Sequence, residues 1–478
     1  MVSVALKRFP DLLANLVMAA LAALALLTIG QSGICHLGGW QAGLGIDLRL
    51  DGLSSLMLIT INTIGLAMTV FSVQYMTRYT SKLRYYSIFL CMIAGLNGIV
   101  LTGDLFSLYI FMELVAIASY ALVAFGCEHE ELEAAFKYAV LGSVASAFIL
   151  IGTALLYAML GTLNMADMAQ GLAEGGMNLP LLFALALFLC GFGLKAALVP
   201  FHAWLPDAHP AAPAPVSAML SGVVIEAAGI YVLIRLVFNV FTVQLVPDLL
   251  VILRMMGVVS MIVGGILMLG QWDMKRLLAY SSISQIGYIV VGLGLGTPLG
   301  LIGALFHLLN HSVFKSLLFL NAGALEYTTG SRDLRHLGGL GKSMPVTSST
   351  SLVASMSISG IPPLNGFWSK LIIVLACIES GHPWLALAAV IVSLTTLAAV
   401  LKVQKHAFWD AAKAGLATFH EVPLLMRTAM LMLAALCFVL ALLVLTGLRT
   451  PFLITPAVDA LSAWGRNGPG CVMCGMGI

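Results

Sequence analysis

The sequence predicts an all-α, polytopic membrane protein of about 13 transmembrane helices, forming a single membrane domain over residues 1–478. Three observations predict it. Hydrophobic residues make up 60% of the chain, charged residues only 9%, and the mean hydropathy is +1.03. A soluble domain carries roughly 25% charged residues, and a soluble protein this apolar has no means of covering its surface. The apolar residues also fall into long runs separated by short loops, which leave no room for a soluble domain.

A helix needs about 20 mostly apolar residues to cross the bilayer. Such segments run near 11–30, 53–75, 85–101, 105–126, 135–160, 180–199, 212–239, 247–270, 276–294, 297–325, 346–378, 384–404 and 427–447. Residues 448–478 read as a Gly- and Pro-containing tail at the surface. No small-residue cleavage site follows Lys7 and Arg8, so the first segment reads as a span and not as a cleaved signal.

Lysines and arginines orient the chain, because they collect on the cytoplasmic side. With the N-terminus inside, the inner loops gather Lys7, Arg8, Arg78, Lys82, Arg84, Lys137, Lys275, Arg276, Arg332, Arg335, Lys342, Lys402, Lys405, Lys413 and Arg427. The outer side has Arg49, Arg235, Arg254, Arg449 and Arg466. The bias of 15 to 5 predicts a multi-pass protein of the inner (cytoplasmic) membrane, N-terminus cytoplasmic and C-terminus outside. The net charge of +2 is too small to suggest a nucleic-acid partner.

Three lysines belong to neither side. Lys195, Lys315 and Lys370 sit within apolar runs, as do Glu113, Glu226, His307 and His311. A charge at the bilayer centre costs at least ~2.5–3.5 kcal/mol and is rarely kept without a use. The competing reading for each is a structural ion pair or a snorkelling side chain. His307, His311 and Lys315 are spaced four and four, which places them along one helix face, as a relay needs. No second intramembrane histidine pair is present to hold a haem, and no carboxylate or cysteine stands at ligand spacing for zinc. Cys471 and Cys474 form a lone CxxC, a weak metal or redox signal.

Two of the apolar segments read as broken. Pro200, Pro206, Pro210, Pro213 and Pro215 follow Lys195, and Pro362, Pro363, Asn365 and Gly366 precede Lys370. Proline removes a helix donor and frees an upstream carbonyl. In lipid, such a break survives only when buried in protein or lining water. Interrupted helices in corresponding positions of two halves point to an ion site in transporters built from repeats. The competing reading is a proline kink that only assists packing, which does not account for a lysine beside each break.

The stretches FMELVAIASY, LKAALVPFHAWLPDAHPAAPAPVSAMLSG, WDMKRLLAYSSISQIGY, FHLLNHSVFKSLLFL and IPPLNGFWSK mark a likeness that runs from about residue 50 to 410, most of the chain. In them the chain resembles the antiporter-like subunits L, M and N of respiratory complex I (NADH-quinone oxidoreductase), of Mrp-type sodium/proton antiporters and of membrane-bound hydrogenases. Among these it looks most like the M-type or Mrp D-type subunits. The resemblance implies two inverted five-helix repeats, each with a broken helix: N-terminal helices over 1–100, a first repeat over 104–239, a second over 247–406, a last helix over 427–447 and the tail. It implies that Glu113 pairs with Lys195, and that His307, His311 and Lys370 continue a polar axis along the middle of the membrane. Lys315 joins the candidates, with Lys137, Lys275, His202 and Asp207 as accessory positions. Two departures stand out. The first of the family's roughly fourteen core helices is missing, and an acid, Glu226, occupies a position where a lysine or histidine is common.

The expected function is therefore a proton- or sodium-translocating membrane subunit of a multisubunit redox-driven or Mrp-type complex. Other membrane subunits, the lipid bilayer and protons or sodium ions are its expected partners. No nucleotide-binding glycine loop or cysteine cluster occurs in the chain. No cofactor is expected here, and iron–sulfur, nickel–iron or flavin centres belong to partner subunits. A stand-alone cation/proton antiporter and a membrane scaffold with a vestigial path are the alternatives.

Overall fold

The computed structural model describes residues 9–39, 45–79, 81–243, 245–411, 419–445 and 453–462. Lys7, Arg8, Lys413, Arg449, Arg466 and the Cys471/Cys474 pair lie outside the described residues. Helices α1 (Pro10–Leu27), α2 (Gly52–Tyr75), α3 (Lys82–Leu101), α4 (Leu105–Val123) and α5 (His129–Leu160) come first. A small antiparallel hairpin, β1 (Gly33–His36) with β2 (Asp47–Leu50), joins α1 to α2, a minor exception to the expected all-α fold. Then follow α6 (Met165–Gly175), α7 (Leu179–Lys195), α8 (Leu205–Ala211), α9 (Ala214–Val240), α10 (Asp248–Leu269), α11 (Met274–Gly294) and α12 (Pro298–Thr329). The chain continues through α13 (Pro345–Ser359), α14 (Asn365–Glu379), α15 (Pro383–Trp409), α16 (Leu424–Leu445) and α17 (Ile454–Ser462).

Among the described residues, 11 helices are long and apolar enough to cross a membrane. The two segments carrying the proline clusters are interrupted. The segment near 180–199 is the 17-residue α7, followed by the irregular stretch 196–204 and then α8. The segment near 346–378 is two 15-residue helices, α13 and α14.

Local chemistry sets the helix ends. The first amides of a helix lack internal partners and are commonly capped by a side-chain oxygen. Asp51 caps α2, Asp104 caps α4, Asn178 caps α7, Asp273 caps α11 and Thr297 caps α12. The α13 helix stops at Gly360, whose φ of 76° lies in the left-handed region that favours a residue without a Cβ.

Contacts between the loops sort them onto two ends. At one end Leu425 N donates to Gln74 (2.9 Å), Arg78 lies 4.0 Å from the Tyr327 ring, Lys137 meets Asp207 (3.1 Å) and Asp273 bridges Asp333. At the other, Gly103 N donates to Asp47 O (2.8 Å), Asn164 to the Asp47 carboxylate (2.9 Å), and Arg254 bonds His382 (2.9 Å). The Asp51–Arg235 pair, at 2.6 Å, closes this second end. Arg235, expected as an outer surface cation, is at that end but buried, because Asp51 compensates its charge. Part of the tail also departs from expectation. The α17 helix buries Ile454, Ala457 and Leu461, and its carbonyls at Ala460 and Leu461 accept from Asn239, so this stretch is packed and not simply surface chain.

The helices α9, α11 and α12 are buried almost throughout, while α1, α5, α10, α15 and α16 turn apolar side chains outward. Lipid supplies no hydrophobic drive between helices, so close packing of small residues does the work. A Cβ on Gly287 would lie 2.5 Å from Met261 N, and one on Gly264 2.6 Å from Ser284 N, so α10 and α11 touch backbone to backbone. The central helices thus have no lipid-facing side, and ionisable residues on them are enclosed by protein.

Candidate functional site

The first station lies where α4, α5 and α7 meet. Lys195 is the last residue of α7, and the helix breaks directly after it. Pro200 has no amide hydrogen, so the break must find other partners for its backbone. Leu194 O accepts from the Trp204 indole (2.9 Å), and Val199 N donates to Ser260 Oγ (2.9 Å). Trp204 in turn stacks on Tyr138 of α5, ring centroids 4.3 Å apart. So anchored, Lys195 Nζ stands 3.9 Å from Glu113 Oε1, with Ser146 between them. The Ser146 hydroxyl accepts from Lys195 Nζ (3.1 Å) and donates to Glu113 Oε1. The Glu113 side chain is 31% exposed on the flank of the protein. A cavity of about 20 Å³ opens beside Lys195 toward Val224 and Ala228 of α9, room for about one water.

The second station is on α9 and α12. Glu226 lies in a stretch of α9 with widened, π-type turns (Glu226–Tyr231), a distortion often found at functional positions. Its carboxylate is fully buried, 2.6 Å from His311 Nδ1 at Oε1, and Oε2 accepts from Ser312. The sequence left the role of this acid open, and the structure places it against the expected relay histidine. One turn further along α12, Lys315 Nζ donates to Leu278 O (2.6 Å) and to Ser281 Oγ of α11. No carboxylate pairs with it among the described residues.

The third station is at the second break. Pro362 and Pro363 leave the carbonyls of Ile358 and Ser359 without helical donors. Lys370 Nζ takes the first (2.7 Å) and Ser393 Oγ the second (2.7 Å), while Lys370 also reaches Ser393 Oγ (3.3 Å). The ammonium lies 4.6 Å from the Tyr288 ring centroid, a cation–π contact. Next to Lys370, Ser369 Oγ bonds His307 Nδ1 (2.9 Å), and the His307 ring packs against Tyr288 (5.7 Å).

The accessory positions divide. Lys275 is buried on α11, paired with Glu326 of α12 (2.7 Å). Lys137 and Asp207 meet at one end of the molecule, where Arg276 also bonds Asp207 (2.9 Å). His202 sits in the first break, partly buried, with Nδ1 unpartnered, and none of the described bonds ties it to the stations.

The hydroxyls that bond the ionisable groups, Ser146, Ser281, Ser312 and Ser369, were absent from the sequence-level candidates. A serine in an apolar helix can satisfy itself on its own backbone, so it carries little cost and little signal. Only adjacency marked two of them, Ser312 beside His311 and Ser369 beside Lys370.

Residues 102–396 match the family model described as the transmembrane region of NADH:quinone oxidoreductase/Mrp antiporter, and residues 41–86 one described as the N-terminus of chain 5 of NADH-ubiquinone oxidoreductase, complex I. The chain is 38% identical over 400 residues to the N subunit of the NADH-quinone oxidoreductase of Desulforudis audaxviator, covering 83% of this chain and 79% of that one. It is 36% identical over 391 residues to the D-type polypeptide of the Na(+)/H(+) antiporter of Alkalihalophilus pseudofirmus, covering 80% and 78%. Two solved structures superpose closely. A chain of the Mrp complex from Dietzia sp. gives a TM-score of 0.88 at 28% identity, covering 97% of this chain and 94% of that one. A chain of the membrane-bound sulfane sulfur reductase, an archaeal respiratory membrane complex, gives 0.88 at 32% identity, covering 96% and 94%.

Proposed function

Because the chain belongs to the NADH:quinone oxidoreductase/Mrp antiporter transmembrane family, we propose that it is an ion-translocating membrane subunit of a larger assembly, passing protons along its buried stations. The observation that carries this reading is the enclosure of Glu226, His307, His311 and Lys315 in helices that lipid does not reach, with Lys370 buried on α14, continued by Lys195 and Glu113. Isolated buried charges are costly in a bilayer. Here each stands against a serine hydroxyl or another ionisable group: Ser146 joins Lys195 to Glu113, Ser312 bonds Glu226, Ser281 bonds Lys315, Ser369 bonds His307, and Lys370 reaches Ser393.

Glu113 is the modulating partner, Lys195 the proton holder, Glu226 with His311 the middle station, His307 the relay, and Lys370 the exit-side donor. A hydroxyl that accepts from one group and donates to the next hands on a proton, whereas a sodium ion needs several oxygen ligands around it. Ser146 between Lys195 and Glu113 therefore favours protons.

Companion membrane subunits cover part of the flank. A carboxylate such as Glu113, 31% exposed within a membrane helix, calls for a protein neighbour there and not lipid. Redox centres, whether iron–sulfur, nickel–iron or flavin, lie on those companions. Two five-helix repeats fit the helix order if the first begins at α3 (Lys82–Leu101), ahead of the expected 104–239, and the second at α10. The sorting of loops onto two ends supports thirteen crossings, the broken helices each counting once. The excess of positive charge on the loops of the Asp207 end supports a cytoplasmic position for that end, in a protein of the cytoplasmic membrane. Cysteines introduced near residues 410 and 460 test this orientation. Only the second should react with an impermeant reagent added outside intact cells.

Replacing Lys195→Ala tests the function. The assembled complex, reconstituted in vesicles, should keep its subunits and lose proton flux. Undiminished flux in the variant removes Lys195 from the path and the proposal with it.

A further inference from the structure

We propose that the end bearing Asp207 and Arg332 is a proton-uptake mouth, gated by the Lys275–Glu326 pair and joined to Lys315 through His209. The inference rests on the translocation reading above and adds where protons enter.

A polar cavity of about 320 Å³ opens at this end, lined among others by Glu130, Glu133, Lys137, Asp207, Asp273 and Arg332. Its inner wall is the short helix α8, which contributes Asp207, Pro210 and Ala211 to the lining. His209 lies on the same helix but is fully buried. Neither of its ring nitrogens has a hydrogen-bond partner. Its ring packs 4.9 Å from that of Phe319, and Lys315 Nζ stands 5.9 Å from the same Phe319 ring. One thin helix therefore separates an aqueous, charged cavity from the central file, and a buried imidazole sits on its inner side. Buried polar side chains in folded proteins nearly always have partners, and an exception asks for a role.

Lys275 and Glu326 flank this wall. Lys275, almost fully buried, donates to Ala212 O at the end of α8 (3.1 Å) and pairs with Glu326 Oε2 (2.7 Å). The second Glu326 oxygen is 3.8 Å from Arg332 Nε, which also meets Asp273 at 3.3 Å. Glu326 is thus shared between a buried cation and a cation of the mouth. Arg78 and Tyr75 also face it from the end of α2, and Glu131 of α5 lies near Lys275. The charges acting on His209 are those of Lys315 and Lys275.

Glu326 takes up a proton from the mouth when it leaves Lys275, and passes it inward to one nitrogen of His209. The other His209 nitrogen releases its proton to the neutral amine of Lys315, so the imidazole ends neutral and one proton has moved. An imidazole relays protons and not sodium ions, so this entrance is proton-specific.

The test uses the complete assembly in inside-out vesicles, where the bath sets the pH at this end. His209→Gln keeps size and polarity without titrating, Glu326→Gln removes the charge, and Glu326→Asp retains it. A positioned acid–base relay speeds proton transfer by about 100-fold or more. When it is lost, uptake depends on the bath proton concentration. H209Q and E326Q should lose flux about tenfold or more near pH 8 and recover much of it near pH 6, while E326D stays close to the parent. Equal fractional loss at both pH values, or no loss in either variant, overturns the proposal. If H209Q does not assemble, the contrast between E326Q and E326D decides. K195A separates the two readings. Loss of flux in K195A with a parental pH profile in H209Q and E326Q sinks only the uptake mouth, whereas normal flux in K195A sinks the translocation path itself.

Discussion

Ser146→Ala removes one oxygen from the first station and leaves both charges in place. Lys195 Nζ and Glu113 Oε1 stay 3.9 Å apart, where their attraction is at most about 4 kcal/mol at an effective dielectric constant near 20. The pair therefore persists and the chain should assemble. What disappears is the bridge. A separation of 3.9 Å exceeds the roughly 2.7–3.2 Å of an N–H···O hydrogen bond, so no proton passes directly. Hydrogen bonds to charged groups contribute about 1.5–3 kcal/mol. A single water in the adjacent cavity of about 20 Å³ can offset part of that loss. A residual cost of about 2 kcal/mol in the transfer step corresponds to about 30-fold in rate. Proton flux into vesicles, followed with a pH-sensitive dye, should fall by about that factor in S146A, and S146T should recover most of it because it keeps the hydroxyl. Parental flux in S146A would falsify the bridging role. Equal loss in S146A and S146T would point to packing at this buried site instead.

Further outcomes follow from the other stations. Glu226→Gln should reduce flux at least as much as Glu113→Gln, since Glu226 is fully buried against His311 and Ser312 whereas Glu113 is partly exposed. Flux in the two variants side by side checks this, and a clearly milder E226Q returns the modulating role to Glu113 alone. Asp51→Asn leaves the buried Arg235 without its 2.6 Å carboxylate, a change expected to cost about 3–5 kcal/mol. Thermal unfolding of the detergent-solubilised protein should shift down by several degrees, and an unshifted transition would show that Arg235 is compensated elsewhere.

Composition and apolar run length made the membrane class and the helical fold legible from the sequence, because a bilayer admits few other solutions. Intramembrane charge exposed Glu113, Lys195, Glu226, His307, His311, Lys315 and Lys370, since each is conspicuous in an apolar helix. The prolines marked the two breaks for a similar reason: a missing donor is written in the residue itself. Partnership was not legible in this way. Whether Glu226 stood alone or met His311 depended on how α9 packs against α12, 85 positions away in the chain. The serines became meaningful only once helices brought an ionisable group to each of them, and to both sides of Ser146. The pairing of Lys275 with Glu326, the turn of His209 away from the cavity and the burial of Arg235 on Asp51 are likewise consequences of packing. Single-helix properties depend on the order of residues along one segment. Contacts between segments depend on rotation and depth, which the sum of many small packing energies decides and no local pattern records.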